Sequence, residues 1–348
     1  MSRVLIECVP NFSEGRNPEV IAMITKPIID SPDVDLLDVD MGYDFNRTVV
    51  TMVGEPEAVL RAAIECTSIA VEMIDMRGHS GEHARMGAVD VVPFIPLRGS
   101  SMGECVKLSE RYAESVSEQL GLPVYMYAEA ARDSQRVRLP DIRKGEYEGM
   151  KKKMMSDGWA PDYGPSVFPE SMGVTAAGAR QILIAYNVNL NTDDKKIANS
   201  IASKIRTSGS LLRDENGDKV IGKDGNPMRT PGKFQSLQAA GWMFDEDTAQ
   251  VSMNLLDHSV TGLHDVTETI RTEAEKLGYS VTGSELVGLV PLDAMLSAGE
   301  KYLGAPNNAN ELDLVNSAIS GLSLNEFGEF VPQTSIIEWA ISGGEYNE

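Results

Sequence analysis

The chain of 348 residues is 42% hydrophobic and 24% charged, with a formal net charge of −21. That balance supports a buried core and argues against a disordered chain, while the acidic excess argues against a general nucleic-acid binder, which needs a dominant basic patch. The length exceeds a usual single core and points to two units of about 100 to 200 residues each.

An apolar run over residues 4–9 is interrupted by Glu7 and closed by Pro10, so it reads as a short buried strand and not as a secretory leader. Residues 18–29 read as a helix, 34–40 as a strand with polar residues at intervals, and 41–46 as a turn. The β-branched stretch 47–54 is a strand, and 55–75 carries apolar residues at helical spacing. A strand at 91–97, a helix at 102–120 and a strand at 124–128 follow. Between 132 and 173 the periodicity fails. Its aromatic and Gly-Pro content around Trp159 to Phe168 predicts an ordered, functional connection.

The second half repeats the first: strand 182–190, helix 193–207, strand pair 237–245 and 249–257, helix 263–277, and strand 280–291 leading to a final short helix. Turn residues in 213–218 and 223–227 predict an exposed hairpin inside it. The expected fold is α+β, with two ferredoxin-like (βαββαβ-type) subdomains. They span 1–181 and 182–330, followed by a C-terminal tail at 331–348. Two antiparallel sheets with helices on one face each, and a ligand channel between the subdomains, complete the expectation. No segment approaches the ~20 apolar residues of a membrane span. Cys8, Cys66 and Cys105 read as buried thiols in a reducing compartment, which places the protein in the cytoplasm.

Two of the four histidines, His79 and His83, share one glycine-broken loop. His79-Ser-Gly-Glu-His83 fits the zinc-peptidase H-x-x-E-H string. That chemistry needs both ligands on one helical face, and Gly78, Ser80 and Gly81 weaken a helix there, so no metal is expected. His258 and His264 read as ordinary hydrogen-bonding residues. His83, flanked by Glu82, Arg85 and Asp90 where the loop meets a strand, is a candidate proton carrier. His79 is an equal candidate on residue chemistry. Asn11, Glu14 and Arg16 form a second polar cluster at a strand end, where Ser13 or Asn11 is also a candidate helix cap. Asp38, Asp40, Asn46 and Arg47 form a third.

Cys8-Val-Pro-Asn-Phe-Ser-Glu-Gly15, Leu37-Asp-Val-Asp40, Asn46-Arg-Thr48, Gly81-Glu-His-Ala-Arg-Met-Gly-Ala88 with Pro93-Phe-Ile-Pro96, Trp159-Ala-Pro-Asp-Tyr-Gly-Pro-Ser166 and Leu286-Val-Gly-Leu-Val-Pro291 together resemble the formiminotransferase family. The similarity runs over nearly the whole chain, and the chain leaves no room for the cyclodeaminase fused to the best-known members. The resemblance implies transfer of the formimino group from N-formimino-L-glutamate to N5 of tetrahydrofolate, with L-glutamate released. It also implies two similar subdomains with the substrates between them, and a homodimer. A separate cyclodeaminase is a candidate partner. Nucleic acid, membrane and metal play no part, and tetrahydrofolate enters as co-substrate.

The family's catalytic histidine, within Gly-Glu-His-Pro-Arg-Met-Gly, falls on His83 and resolves the choice against His79. Ala84 replaces the usual proline, which loosens the backbone and leaves the ring chemistry intact. The folate-binding segment maps onto Gly164, Pro165, Ser166, Val167, Phe168, Pro169, Glu170, Ser171, Met172 and Gly173. Gly164-Pro-Ser166 and Phe168 match its pattern, and residues 169–172 diverge. On this reading Asp38 or Asp40 stabilises the positive amidine, Arg47 or Arg85 holds a glutamate carboxylate, and Asn11 faces the ligand. The alternatives are an N-formyl-L-glutamate donor, or a folate-binding protein without catalysis, against which His83 with Asp40 and Arg47 argues.

Overall fold

A computed structural model describes residues 3–223, 225–304 and 309–341. Contacts divide the chain into two units, Met1–Gln181 and Ile182–Glu348.

In the first unit, β1 (Ile6–Cys8) and β2 (Asn11–Phe12) are two pieces of one line, broken at Val9-Pro10 because proline has no N–H for the ladder. Then come α1 (Pro18–Ile29), β3 (Val34–Gly42), β4 (Arg47–Gly54), α2 (Pro56–Met73), β5 (Val89–Pro96), α3 (Met102–Leu120) and β6 (Val124–Ala128). Asn17, not Ser13 or Asn11, caps α1: its Oδ1 accepts the Glu19 and Val20 N–H groups at 3.0 and 3.3 Å. Two helices the sequence hid, α4 (Leu139–Arg143) and α5 (Glu146–Met154), precede β7 (Thr175–Ala179).

Across the sheet the order is β3, β4, the β1/β2 line, β5, β7 and β6. The first four positions pair antiparallel, while β5–β7 and β7–β6 are parallel. The expectation of a purely antiparallel sheet therefore fails here. Thr-Ala-Ala-Gly-Ala at β7 has one β-branched residue, Thr175, and otherwise small side chains, too weak a strand signal to be read, although every position of it is buried. Ile24, Ile28, Val59, Cys66, Leu108 and Tyr112 from α1, α2 and α3 pack with Cys8, Met52 and Phe94 on one face. On the other, Ile142, Met150 and Met154 of α4 and α5 cover Val91, Ala176 and Tyr125. All three cysteines are buried free thiols.

The second unit runs β8 (Ile184–Leu190), α6 (Lys195–Ile205), β9 (Ser210–Leu211), β10 (Arg229–Thr230), β11 (Leu237–Met243), β12 (Ala249–Leu255), α7 (Leu263–Lys276), β13 (Val281–Val287), α8 (Leu292–Leu303), α9 (Glu311–Leu322), α10 (Pro332–Ser335) and α11 (Ile337–Ile341). Its main sheet, β11-β12-β8-β13, is antiparallel throughout. β9 and β10 pair at the base of an exposed arm, of which Asp224 lies outside the described residues. Residues 331–341 do not trail away as a tail. Ile337 N–H donates to the Val290 carbonyl at 3.0 Å, and Trp339, 2% exposed, enters the core and donates to Glu311 at 2.8 Å. The rest of that segment, 342–348, lies outside the described residues. Among the described residues no helix is long and apolar enough to cross a membrane.

Gly87 bridges to Gly173 at the end of the 164–173 segment. A Cβ on Gly87 would sit 2.4 Å from the Val174 carbonyl oxygen and 2.6 Å from that of Met172, both backbone atoms with little freedom to retreat. Gly87→Ala is therefore expected to cost about 1–3 kcal/mol, the usual range for overpacking a tight site. Urea unfolding would show it as a lower midpoint at unchanged slope.

Candidate active site

The loop carrying both histidines is not helical. One 3-10 turn, Met76–Gly78, precedes it, and residues 79–83 are irregular. The two imidazoles are therefore not presented one helical turn apart, as the zinc-peptidase pattern requires.

His79 is engaged by its surroundings on both nitrogens. Nε2 lies 3.0 Å from the Asn46 carbonyl, and Nδ1 accepts from Arg85 Nε at 3.4 Å. A carbonyl only accepts and a guanidinium only donates, so the neutral ring carries its proton on Nε2. Burial, with the Arg85 charge adding to it against the Asn46 carbonyl, holds its pKa below the ordinary value.

His83 is wired the other way. Arg47 Nη1 lies 2.6 Å from its Nε2, so Nε2 is the unprotonated nitrogen and Nδ1 carries the proton. Nδ1 is buried with no well-formed hydrogen bond. Burial first, then the charges of Arg47 and Arg143, push the His83 pKa down to about 4, and Asp90 and the Ala84 backbone oppose them. The ring is thus a neutral base at neutral pH.

Arg47 opens β4 directly after Asn46, whose φ of 47° places it in the left-handed region that asparagine tolerates. The Asn46 side chain, in a residue only 8% exposed, accepts the Gly15 N–H at 3.0 Å and donates to the Ser80 carbonyl at 2.9 Å. One side chain therefore ties the loop after β2 to the histidine loop and sets where β4 begins. Arg47 is half-buried; burial and then Arg143 lower its pKa, while Asp90 and Asp40 oppose.

Behind His83 sits an ion pair that sequence reasoning missed. Asp90 in β5 is 1% exposed, accepts the Met86 N–H at 2.9 Å and is held by Arg143 of α4. Pro140, at the start of Leu139–Arg143, was the available signal for this helix.

Register places the other candidates. Asn11, Val49 and Asp40 form one row across three strands, with Asp38 opposite Thr51 two rows along. Asn11 donates to the Val9 carbonyl at 3.0 Å. Asp40 is exposed and Asp38 half-buried, and burial followed by the Asp40 charge raises the Asp38 pKa. Arg85 is committed elsewhere: its guanidinium pairs with Glu148 at 2.6 Å and Glu146 at 3.1 Å. The protein's own carboxylates fill its fork, leaving it to fix the loop and not a ligand.

In the 164–173 segment, Gly164, Pro165, Ser166 and Val167 are exposed. Phe168 packs on Tyr147 with ring centroids 5.3 Å apart. Glu170 turns away to Lys151 at 2.8 Å, and Tyr147 donates to its carbonyl at 2.5 Å. The carbonyls of Ser171 and Met172 accept the Met76 and Ala88 N–H groups, both at 2.8 Å. Gly173 N–H donates to the Pro169 carbonyl at 2.7 Å, closing the end of the segment. The segment is thereby laced to both sides of the histidine loop. In the second unit His258 lies 3.6 Å from Asp293, and His264, on α7 and not in a loop, packs edge-on against Tyr302.

The mixed α/β architecture holds an imidazole of lowered pKa in contact with Arg47. The family model described as the formiminotransferase domain, N-terminal subdomain, matches residues 5–180, and the one described as the formiminotransferase domain matches 185–342. The chain belongs to the formiminotransferase family. It is 45% identical over 340 residues to the formimidoyltransferase-cyclodeaminase of Sus scrofa, covering 97% of this chain and 60% of that protein. It thus spans about 60% of the length of that fused relative. The glutamate formimidoyltransferases of Streptococcus pyogenes and Thermoplasma acidophilum are each 40% identical over 86% of this chain, covering 93% and 92% of their own lengths.

Removing Asp90 would leave Arg143, its side chain 15% exposed, without its partner and the buried Met86 N–H without its acceptor. Asp90→Ala is expected to lower the unfolding free energy by about 3–5 kcal/mol, the range for breaking a buried ion pair. A denaturant titration checks it, and a loss below ~1 kcal/mol, typical of exposed pairs, would show that the pair is not structural.

Proposed function

We propose that this chain is a glutamate formimidoyltransferase, moving the formimino group from N-formimino-L-glutamate to N5 of tetrahydrofolate and releasing L-glutamate. The observation that carries the reading is the likeness along more than nine tenths of the two microbial proteins of that name. His83 supplies a fitting group: a neutral base within a loop that the 164–173 segment braces.

In this mechanism the N5 lone pair attacks the formimino carbon and forms a tetrahedral intermediate. His83 Nε2 takes the N5 proton and delivers it to the glutamate nitrogen, the C–N bond to glutamate breaks, and the formimino group stays on N5. General acid–base transfer of this kind contributes about 10² to 10⁴ in rate. Asp38 and Asp40, two residues apart on β3, stabilise the positive amidine in this reading. Phe168, beside exposed Gly164 to Val167, is the aromatic surface for the pterin. The element order shared by both units supports the ferredoxin-like reading of each. The family resemblance supports a homodimer and the buried free thiols a cytoplasmic location, with a separate cyclodeaminase a candidate partner.

Glutamate release by the purified chain with tetrahydrofolate, beside His83→Ala, tests the reading. The variant is expected to lose about 10² to 10⁴ in kcat, and retention of full activity would remove His83 from the chemistry. A faster reaction with N-formyl-L-glutamate would reassign the donor.

The pH dependence follows from the same group. Because the folded pKa of His83 is about 4, below its ordinary 6.5, the unfolded chain binds this proton before the folded one does. Stability therefore falls as pH drops from about 6.5 toward 4, and rises with pH across that window. His83→Asn is expected to flatten that part of a plot of melting temperature against pH, and an unchanged slope would contradict the lowered pKa.

A further inference from the structure

Arg47 and His83 are in a contact that suits a resting site better than a working one. His83 Nε2 is the nitrogen with the free lone pair, and Arg47 Nη1 occupies it at 2.6 Å. Nδ1 carries the proton and is buried. In this arrangement neither nitrogen can accept a proton from a substrate, although the proposed chemistry requires one to do so.

Arg47 also differs from the arginines around it. Arg85 is paired with Glu146 and Glu148, and Arg143 with Asp90, whereas Arg47 stands outside the described ion pairs. A half-buried guanidinium beside a second cation gains most from an incoming anion, and its planar fork matches a carboxylate in two parallel hydrogen bonds. In N-formimino-L-glutamate the α-carboxylate is bonded to the carbon that bears the departing nitrogen. A guanidinium that leaves Nε2 for this carboxylate therefore brings the departing nitrogen toward the lone pair it has just released.

We propose that Arg47 is a substrate-operated cap: it covers His83 Nε2 as seen here, and turns to the donor's α-carboxylate when the donor binds, uncovering the base. This rests on the reading of His83 as proton carrier and adds a condition on when it works. A formamidine without an adjacent carboxylate leaves the cap closed, so Arg47 determines specificity through the state of His83 as well as through affinity. The charged groups around the ring are Arg47 from β4, Arg143 from α4 and Asp90 from β5, with Asp40 of β3 acting on Arg47. Neutralising Arg47 with a carboxylate removes one of the two cations that lower the His83 pKa, so that pKa rises on binding.

The test uses the full chain labelled with ¹⁵N-histidine and follows the His83 ring nitrogens by NMR over a pH series. Three conditions are compared: no addition, L-glutamate, and 4-aminobutyrate, which lacks the α-carboxylate. Glutamate is expected to move the Nε2 resonance and raise the His83 pKa, and 4-aminobutyrate to do neither. In Arg47→Met the pKa starts high and no longer responds to glutamate, and KM for the formimino donor rises about tenfold or more, the scale of a lost charge-assisted hydrogen bond. Arg47→Lys, which keeps the charge and loses the fork, recovers part of KM.

Glutamate that leaves His83 unmoved in the unaltered protein, or a glutamate response that persists in Arg47→Met, overturns the proposal. So does a response to 4-aminobutyrate equal to that of glutamate. The first of these needs no variant to fold. If His83→Ala stays active while glutamate still shifts the His83 signals, the proton-carrier reading fails and the exchange of Arg47 partners stands.

Discussion

The site depends on a carboxylate that water hardly reaches. Asp90, 1% exposed, sits inside β5 and accepts from the Met86 backbone on one oxygen and from Arg143 on the other. A buried charge is tolerable only when its hydrogen bonds are made. Asp90 therefore obliges α4 to deliver Arg143 and the loop before β5 to deliver Met86 N–H. Those two requirements fix the cation behind His83 and the chain direction of residues 83 to 88. The lowered pKa of His83 follows from this packing, since burial is its largest cause and Arg143 one of its two cationic causes.

Around that pair, backbone hydrogen bonds do most of the positioning. Ser13 N–H donates to the Ala88 carbonyl at 2.9 Å, and Ser13 Oγ to the Gly87 carbonyl at 2.7 Å. Met172 binds Ala88 from the other side, and Asn46 joins Gly15 to Ser80. Four stretches far apart in sequence are thus held in register by backbone groups together with the side chains of Ser13 and Asn46. This explains the glycines in them. Where backbones approach this closely, as at Gly87 and Gly173, a Cβ has no room.

The same physics decides what could be read from the sequence. β4 was legible because Arg47–Gly54 is β-branched and buried along its length, and α2 because its apolar residues recur at helical spacing. α4 and α5 were not: a helix of five or nine residues gains little from propensity and is held by packing, here of Ile142, Met150 and Met154 on the sheet. Arg143 was invisible for that reason. The choice between His79 and His83 was equally closed to residue chemistry, because it turns on partners brought from Asn46 and Arg47. The resemblance alone points to His83; the hydrogen bonds distinguish the two rings, one held by the Asn46 carbonyl and Arg85, the other by Arg47, which stands outside the described ion pairs.

The charge pattern has its own logic. A chain of net charge −21 repels anions at long range, and a site for the proposed dicarboxylic donor must reverse that locally. Arg47, Arg85 and Arg143 lie at the histidine loop, where Glu146 and Glu148 neutralise Arg85 and Asp90 neutralises Arg143. Of these three, Arg47 alone stands outside the described ion pairs. Two paired arginines give rigidity without drawing anions to the wrong place, and the remaining one confines recognition to a single point, in contact with the base. A second uncompensated cation would bind carboxylates more tightly, but it would not tie their arrival to the protonation chemistry of His83.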